Sequence, residues 1–333
     1  ELEIEQISDE EAYPFITWVG EEVDEAYYKA VMGIEINPGL DKSDFKIVYS
    51  PQHGADNIPV RTCLKRLGYD IVPVLAQCAP DPDYTNTKSP NPEVDSSYEL
   101  AIKLAKEVDA DVVAITDPDG DRLGVVAKHN GEYVLMSGNQ SAAVYLEYIL
   151  SQRKEKGTLP DNAVMYNTIV TSDLGELVAR NYGVDVEKTL TGFKFIGDKI
   201  RKYEKTHEKQ FIFGYEESYG CVVEDFVRDK DAVQAVLLAA ECGNYYKKQG
   251  KDLIDVLNEL YAKYGTFKES QIALAKAGAA GAARIKEMMD TLRKDKPTEI
   301  GGVKVVLSED YATSERSDGT TIDLPKSNVL KYY

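Results

Sequence analysis

The sequence predicts an α/β protein: two similar mixed α/β domains with mainly parallel sheets and flanking helices, then an incomplete α+β third segment. Three observations predict it. Short apolar runs alternate with helical stretches from Phe45 to Lys248, the pattern of βαβ units. The elements recur in the same order in two successive stretches, although no residue-level repeat accompanies them. After about Tyr264 the alternation stops and an Ala/Gly-rich segment at 275–283 leads into different structure.

Residues 1–40 are acidic and mixed, with a helical stretch over Glu21–Val31. Phe45–Ser50 reads as a buried strand, Ile58–Leu67 as a helix and Asp70–Leu75 as a strand. Pro80, Pro82, Pro90 and Pro92 then forbid regular structure. Ser96 and Glu99 have the spacing of a capping box opening a helix to about Val108. Asp111–Thr116 and Leu123–Ala127 are strands separated by an acidic loop. The second cycle gives a helix over Gln140–Arg153, a strand over Ala163–Ile169 and a helix from Asp173-x-x-Glu176 through Asn181. A strand over Val184–Leu190, a helix over Phe195–Tyr203 and a strand over Phe211–Gly214 follow, then a long apolar helix over Asp231–Lys248. Beyond these lie a helix over Ala283–Leu292, a strand over Val303–Leu307 and a hairpin turn at Ser317-Asp318-Gly319-Thr320. The strand-like run Val329–Tyr333 has no partner after it.

The chain of 333 residues suits two or three domains, and an apolar fraction of 43% is that of a globular protein. A formal net charge of −18 repels nucleic acid and anionic membranes. Any anionic substrate therefore has to be met by local cations or a metal. Cys63, Cys78, Cys221 and Cys242 show no C-x-x-C spacing, and with three histidines no zinc site is suggested. Buried free thiols in a reducing cytoplasm are the expectation. No run approaches a membrane span, and no signal-peptide pattern opens the chain. Glu1 opens a segment that looks like the middle of something, so a fragment is expected.

The segment Asp117-Pro118-Asp119-Gly120-Asp121-Arg122 lies between two apolar strands. Three carboxylates at alternate positions on a sharp turn repel one another unless a cation sits among them, and a hard divalent ion such as Mg²⁺ prefers oxygen ligands. Arg122 beside them is suited to grip a phosphate oxygen. A solvated Asp/Gly hairpin turn is the plain alternative; three carboxylates with a flanking arginine at a strand end fit it poorly. An EF-hand fails on spacing, with the glycine at loop position 4 and Lys128 at position 12. A haloacid-dehalogenase-type phosphatase is the nearer rival, with Asp117 as nucleophile and Asp119 as acid.

Gly214-Tyr215-Glu216-Glu217-Ser218-Tyr219-Gly220 also follows a strand and offers acceptors and a hydroxyl to a hydroxyl-rich ligand. Taken alone it reads equally well as a polar strand-to-helix loop. Thr191-Gly192-Phe193-Lys194 sits between strand and helix, where a lysine and a helix N-terminus attract an anion. Arg228 and Lys230 precede the long helix and supply the cations a phosphate requires.

Taken in order and spacing, DPDGDR, TGFK, GYEESYG and RDKD resemble the α-D-phosphohexomutases, the phosphoglucomutase/phosphomannomutase enzymes. The likeness runs over nearly the whole chain, and TLTGFKFIGDKI with GYEESYG looks most like the phosphoglucomutase branch. Pro51-Gln52-His53-Gly54 and Pro90-Asn91-Pro92-Glu93 also look like that family's second-domain segments.

The resemblance implies a connector over 1–40, a metal-loop domain over 41–137, a sugar-binding-loop domain over 138–264 and the start of a fourth domain over 265–333. It implies Asp117, Asp119 and Asp121 as ligands of Mg²⁺, with Arg122 and Lys230 acting on the phosphosugar. Glu216 and Ser218 are implied to hold sugar hydroxyls, and Thr191, Gly192 and Lys194 to lie near the substrate. The implied reaction interconverts hexose 1-phosphate and hexose 6-phosphate, most simply glucose 1-phosphate and glucose 6-phosphate, through a phosphoserine and glucose 1,6-bisphosphate. The family's Ser-His-Asn-Pro-like segment and R-x-S-G-T-E-P loop are expected outside this chain; Ser89-Pro90-Asn91-Pro92 and Arg316-Ser317-Asp318-Gly319-Thr320 only imitate them. A phosphatase using Asp117, or a non-catalytic sugar-phosphate binding module, stays open as an alternative.

Overall fold

The computed structural model describes residues 6–333; the first five residues of the expected connector lie outside that range. A short helix α1 (Asp9–Ala12), capped by Ser8, precedes α2 (Glu21–Met32). The first turn of α2 carries Glu21, Glu22 and Asp24 at the positive end of the helix dipole.

The first sheet is built from β1 (Lys46–Ser50), α3 (Asn57–Arg66), β2 (Asp70–Pro73), α4 (Glu99–Val108), β3 (Val112–Thr116), β4 (Leu123–His129) and β5 (Glu132–Met136). Its strand order is β2-β1-β3-β4-β5. The β2, β1 and β3 strands run parallel, and β4 and β5 return antiparallel. The β3 strand (VVAIT) is buried along its whole length because both faces are covered. Side chains alternate across it: Val112 and Ala114 join the large core with α3, while Val113 and Ile115 pack with Ala101 and Ala105 of α4.

The second unit contains α5 (Gly138–Glu155), β6 (Ala163–Thr168), α6 (Leu174–Asn181), β7 (Asp185–Thr189), α7 (Phe193–Thr206), β8 (Gln210–Tyr215), β9 (Cys221–Val222), α8 (Ala232–Lys247) and α9 (Leu253–Tyr264). Its sheet order is β7-β6-β8-β9, parallel except for the final pair. Ala163 and Met165 face the large core, and Val164 and Tyr166 face Phe193, Ile196 and Ile200 of α7. One contiguous core runs from α2 and β1 through α8 to β6 and α6. Each Val or Leu fully buried in it contributes roughly 1.5–3 kcal/mol of apolar transfer.

The last segment holds α10 (Gly278–Lys294), the hairpin β10 (Glu299–Ile300) and β11 (Val303–Lys304), and a small sheet of β12 (Ser308–Asp310), β13 (Glu315–Arg316) and β14 (Leu330–Tyr332) in the order β13-β12-β14. The fold is thus mixed α/β with flanking helices, as the alternation predicts. The expected turn forms, with Gly319 at φ 85°. The terminal run pairs back onto β12.

Several local expectations give way. The Ser96–Glu99 capping box does not form: α4 starts at Glu99 with Tyr98 as an N-cap that makes no cap bond. Instead Ser97 Oγ donates to the carbonyls of Ser89 and Asn91, Tyr98 Oη donates to Pro92, and Glu99 pairs with Lys88. Asp173 caps nothing either; it and Glu176 pair with Lys188 at 3.0 and 2.5 Å. The strand expected at Val303–Leu307 shortens to two residues. Elements outside the expectation include α1, β5, β9, α9 and β10. The β5 strand follows an Asn130-Gly131 turn with positive φ at both residues, and α9 opens with an Asp252/Asp255 capping box. All four cysteines are free and buried. Among the described residues no helix is long and apolar enough to cross a membrane.

Candidate functional site

The acidic loop leaves the C-terminal end of β3 and is closed by the Thr116–Leu123 pair at the start of β4. Asp117 Oδ1 accepts the backbone N–H of Asp121 and of Arg122, each at 3.0 Å. Gly120 turns the chain at φ 78°, a conformation only glycine adopts without strain. Burial raises the Asp117 carboxyl most, the two backbone bonds oppose it, and Asp121 raises it further. Three outside contacts hold the loop. Ala55 N–H donates to the Pro118 carbonyl at 3.1 Å, and Ala232 N–H, at the start of α8, donates to the Gly120 carbonyl at 3.1 Å. Leu123 N–H donates to the Tyr219 carbonyl at 2.9 Å. Gly54 is pressed so close that a methyl group there would lie 2.4 Å from Pro118 Cα.

Two of the three expected cations, Arg122 and Lys230, stand beside the loop. Arg122 Nε lies 3.7 Å from Asp121, and its Nη1 is held by Glu93 at 2.6 Å. Lys230 Nζ lies 3.0 Å from Asp121 Oδ2 and 3.0 Å from Asp229 Oδ1, and 5.4 Å from the centre of the Phe193 ring. Burial works against the Lys230 charge, but the bonds to Asp229 and Asp121 outweigh it and raise the group above its ordinary range. Arg228, by contrast, turns outward to Glu204.

The second loop leaves the C-terminal end of β8. Glu216 N–H donates to the Gly220 carbonyl, and Tyr219 takes φ 71°. Glu216 is buried, and its Oε1 accepts the Gly192 N–H at 2.7 Å. It therefore ties this loop to the Thr191-Gly192-Phe193-Lys194 turn at the start of α7. Glu217 Oε2 accepts from Thr168, and burial raises the Glu217 carboxyl. Ser218 is half-buried, and Thr191 and Lys194 are exposed.

Asp117, Asp121, Arg122 and Lys230 are thus brought together, with Glu216 and Gly192 joined in a neighbouring loop pair. Asp119 is exposed. The three loop carboxylates are not drawn into a tight triad. Among the described residues, the one group of metal-type side chains with all ligand atoms within 4.8 Å is His129, Asp252 and Asp255. In that group Asp252 and Asp255 already serve the capping box of α9, and the positive helix end disfavours a cation.

Sequence reasoning missed Asp56. Its side chain is 6% exposed, and Oδ2 is without a hydrogen-bond partner among the described residues. A methyl group on Gly120 would lie 2.5 Å from Asp56 Oδ1. Burial, then Asp231, Asp117, Asp121 and Asp119, push the Asp56 carboxyl up to about 8. An orphaned buried carboxylate beside a loop of three more is the oxygen chemistry that a hard divalent cation takes, although these ligand atoms do not gather within 4.8 Å of one another. Its signal in the sequence was its place two residues after the Pro51-Gln52-His53-Gly54 segment, at the start of the helix that follows β1.

Residues 25–131 match the family model described as phosphoglucomutase/phosphomannomutase, alpha/beta/alpha domain II, and residues 137–264 match the model of domain III. The chain belongs to the phosphoglucomutase/phosphomannomutase family. A phosphoglucomutase of Staphylococcus epidermidis is 37% identical over 322 residues, covering 95% of this chain and 58% of the relative. The chain thus spans somewhat over half the length of that curated relative. Among solved structures, the open form of pp63/parafusin, a phosphoglucomutase from Paramecium, shares the fold with a TM-score of 0.63 at 17% identity, over 93% of this chain and 52% of that one. A phosphoglucomutase/phosphomannomutase family protein from Burkholderia thailandensis gives 0.57 at 20% identity, over 72% and 46%. Membership of this family displaces the dehalogenase-type phosphatase as a reading of Asp117.

Proposed function

We propose that this chain carries the metal and sugar loops of a phosphohexomutase that interconverts hexose 1-phosphate and hexose 6-phosphate, with glucose as the hexose. The observation that carries the reading is the joining of two loops from different sheets: Leu123 N–H bonds to Tyr219, and Lys230 pairs with Asp121. The reading assigns residues 41–137 as the metal-loop unit and 138–264 as the sugar-loop unit. Residues 1–40 are read as a connector, and 265–333 as the start of a further domain.

In this reading Asp117, Asp119 and Asp121 hold Mg²⁺, which when bound offsets charge on a phosphoryl oxygen. Arg122 and Lys230 add positive charge where the transferring phosphoryl group develops negative charge, so the chemistry is mainly electrostatic. The pairs Glu93–Arg122 and Asp229–Lys230 fix where those cations stand. Glu216 and Ser218 accept and donate to sugar hydroxyls, while Thr191, Gly192 and Lys194 line the approach of the second phosphate. The phosphoryl group passes from a phosphoserine of the whole protein to the sugar, giving glucose 1,6-bisphosphate, and the other phosphate returns to the serine. A cytoplasmic setting suits the four unpaired buried thiols.

The test is turnover of glucose 1-phosphate by the whole protein carrying Asp119→Asn. A loss of about a hundredfold or more is expected for removing a ligand of a catalytic cation. Unchanged turnover would sink the metal assignment.

A further inference from the structure

We propose that Asp56 is a positioning residue of the cation site, a fourth carboxylate that backs the acidic loop and strengthens its hold on a divalent ion. The inference rests on reading the loop as the metal site, and adds a residue from outside it.

The geometry separates Asp56 from an ordinary helix cap. It stands at the N-cap position of α3 yet makes no side-chain cap bond. It is 6% exposed, and its Oδ2 has no hydrogen-bond partner among the described residues. A buried carboxylate left in that condition is costly unless a positive charge lies near it. The side chain is aimed at Gly120, in the middle of the loop: a methyl group there would lie 2.5 Å from Oδ1 and 3.1 Å from Oδ2. Gly120 sits between Asp119 and Asp121, so Asp56 meets the loop between two of the expected ligands. On α3 itself, Arg61 Nη1 donates to Asn57 Oδ1 and makes no hydrogen bond to Asp56 among the described residues. Asp231, at the N-cap of α8, is occupied by Tyr27 Oη and the Gln234 N–H, and contributes a further carboxylate. Lys230 is already shared by Asp121 and Asp229. Asp56 therefore has two effects on the site. It fixes the height of Gly120 by contact, and it deepens the negative potential felt by an ion held on the other side. Partners behind the ligands commonly change metal affinity by about 10–100-fold.

The test uses the chain itself and Mn²⁺ alone as the probe, followed by electron paramagnetic resonance. Asp56→Asn keeps the shape and removes the charge. It should weaken Mn²⁺ binding about tenfold, while the melting temperature in chelator stays level with the parent chain or rises. Asp119→Asn serves as the ligand control. If Asp119→Asn weakens binding and Asp56→Asn stays within about twofold of the parent, the role of Asp56 is overturned and the metal reading stands. Should the parent bind no Mn²⁺, or bind it equally well with Asp119→Asn, the metal reading fails and takes this inference with it. Asp56→Ser guards against a folding defect peculiar to the amide. If both variants melt well below the parent in chelator, Asp56 is a scaffold residue and the proposal is wrong.

Discussion

Lys230 Nζ stands 3.0 Å from Asp121 Oδ2, so an ammonium carried by the connection into α8 already rests on the acidic loop of the other sheet. A cation bound by the loop has to share Asp121 with it. Lys230→Met should therefore tighten Mn²⁺ binding to the chain by roughly threefold or more, since a like charge beside the ion is removed. The same variant should weaken phosphosugar binding by the whole protein. Paired Mn²⁺ and glucose 1-phosphate titrations check both directions, and a change of the same sign in each would contradict the assignment.

Glu216 Oε1 accepts the Gly192 N–H at 2.7 Å within a buried setting. Glu216→Ala leaves that donor without its acceptor, and should cost about 1–3 kcal/mol in urea unfolding. Glu216→Gln retains a carbonyl oxygen in the same place and should recover most of the loss. Equal destabilisation by the two variants would mean that the charge, not the bond to Gly192, matters.

Gly120→Ala combines an unfavourable φ of 78° with a methyl group 2.5 Å from Asp56 Oδ1. A drop of about 1–3 kcal/mol is expected from the backbone alone. Gly54→Ala should also destabilise, because its methyl group meets the Pro118 backbone at 2.4 Å and backbone cannot swing aside as a side chain does. Thermal melts of the two variants decide the matter; a melting temperature equal to the parent's in either case would refute the packing described.

Acid sensitivity has a specific contributor in Glu187. Burial favours its neutral form, but Tyr203 Oη, Lys199 and Lys209 outweigh that and hold the carboxyl at about 2, against 4.5 when free. A folded value below the unfolded one stabilises fully above about pH 4.5, and that stability drains away as pH falls toward 2. Glu187→Gln should cost on the order of 2 kcal/mol near neutral pH and little near pH 2. Urea unfolding across that window reads the convergence of the two proteins.

Most of the frame was legible because each buried strand is a short apolar run bounded by breakers. DVVAIT and AVMYNTI could hardly be surface segments. Edges and caps were harder. The capping residues of α4 failed because proline-loop carbonyls, distant in the local pattern, claimed Ser97, and Lys88 claimed Glu99. Asp173 and Glu176 likewise went to Lys188 on the neighbouring strand. The Asn130-Gly131 turn before β5 is of the dipeptide type that favours positive φ at both residues. In the site, the loop carboxylates stood out by spacing, and Lys230 by its place before the long helix and the family resemblance. Asp56 did not, since its meaning comes from a neighbour 64 positions away, Gly120, whose missing side chain makes room for it. Glu93 as the holder of Arg122 is a pairing of the same long-range kind.

The α8 helix acts as a keel common to both sheets. Fourteen of its residues are buried, and Gly243 rides so close to Phe45 of the first unit that a methyl group would come within 2.7 Å of the ring. The two α/β units consequently share one core. Heating should give a single endotherm for them, and a protease should find no linker at which to release a folded half. Any rearrangement at this face then falls first to the loop tips, because one buried helix lies beneath both sets of loops.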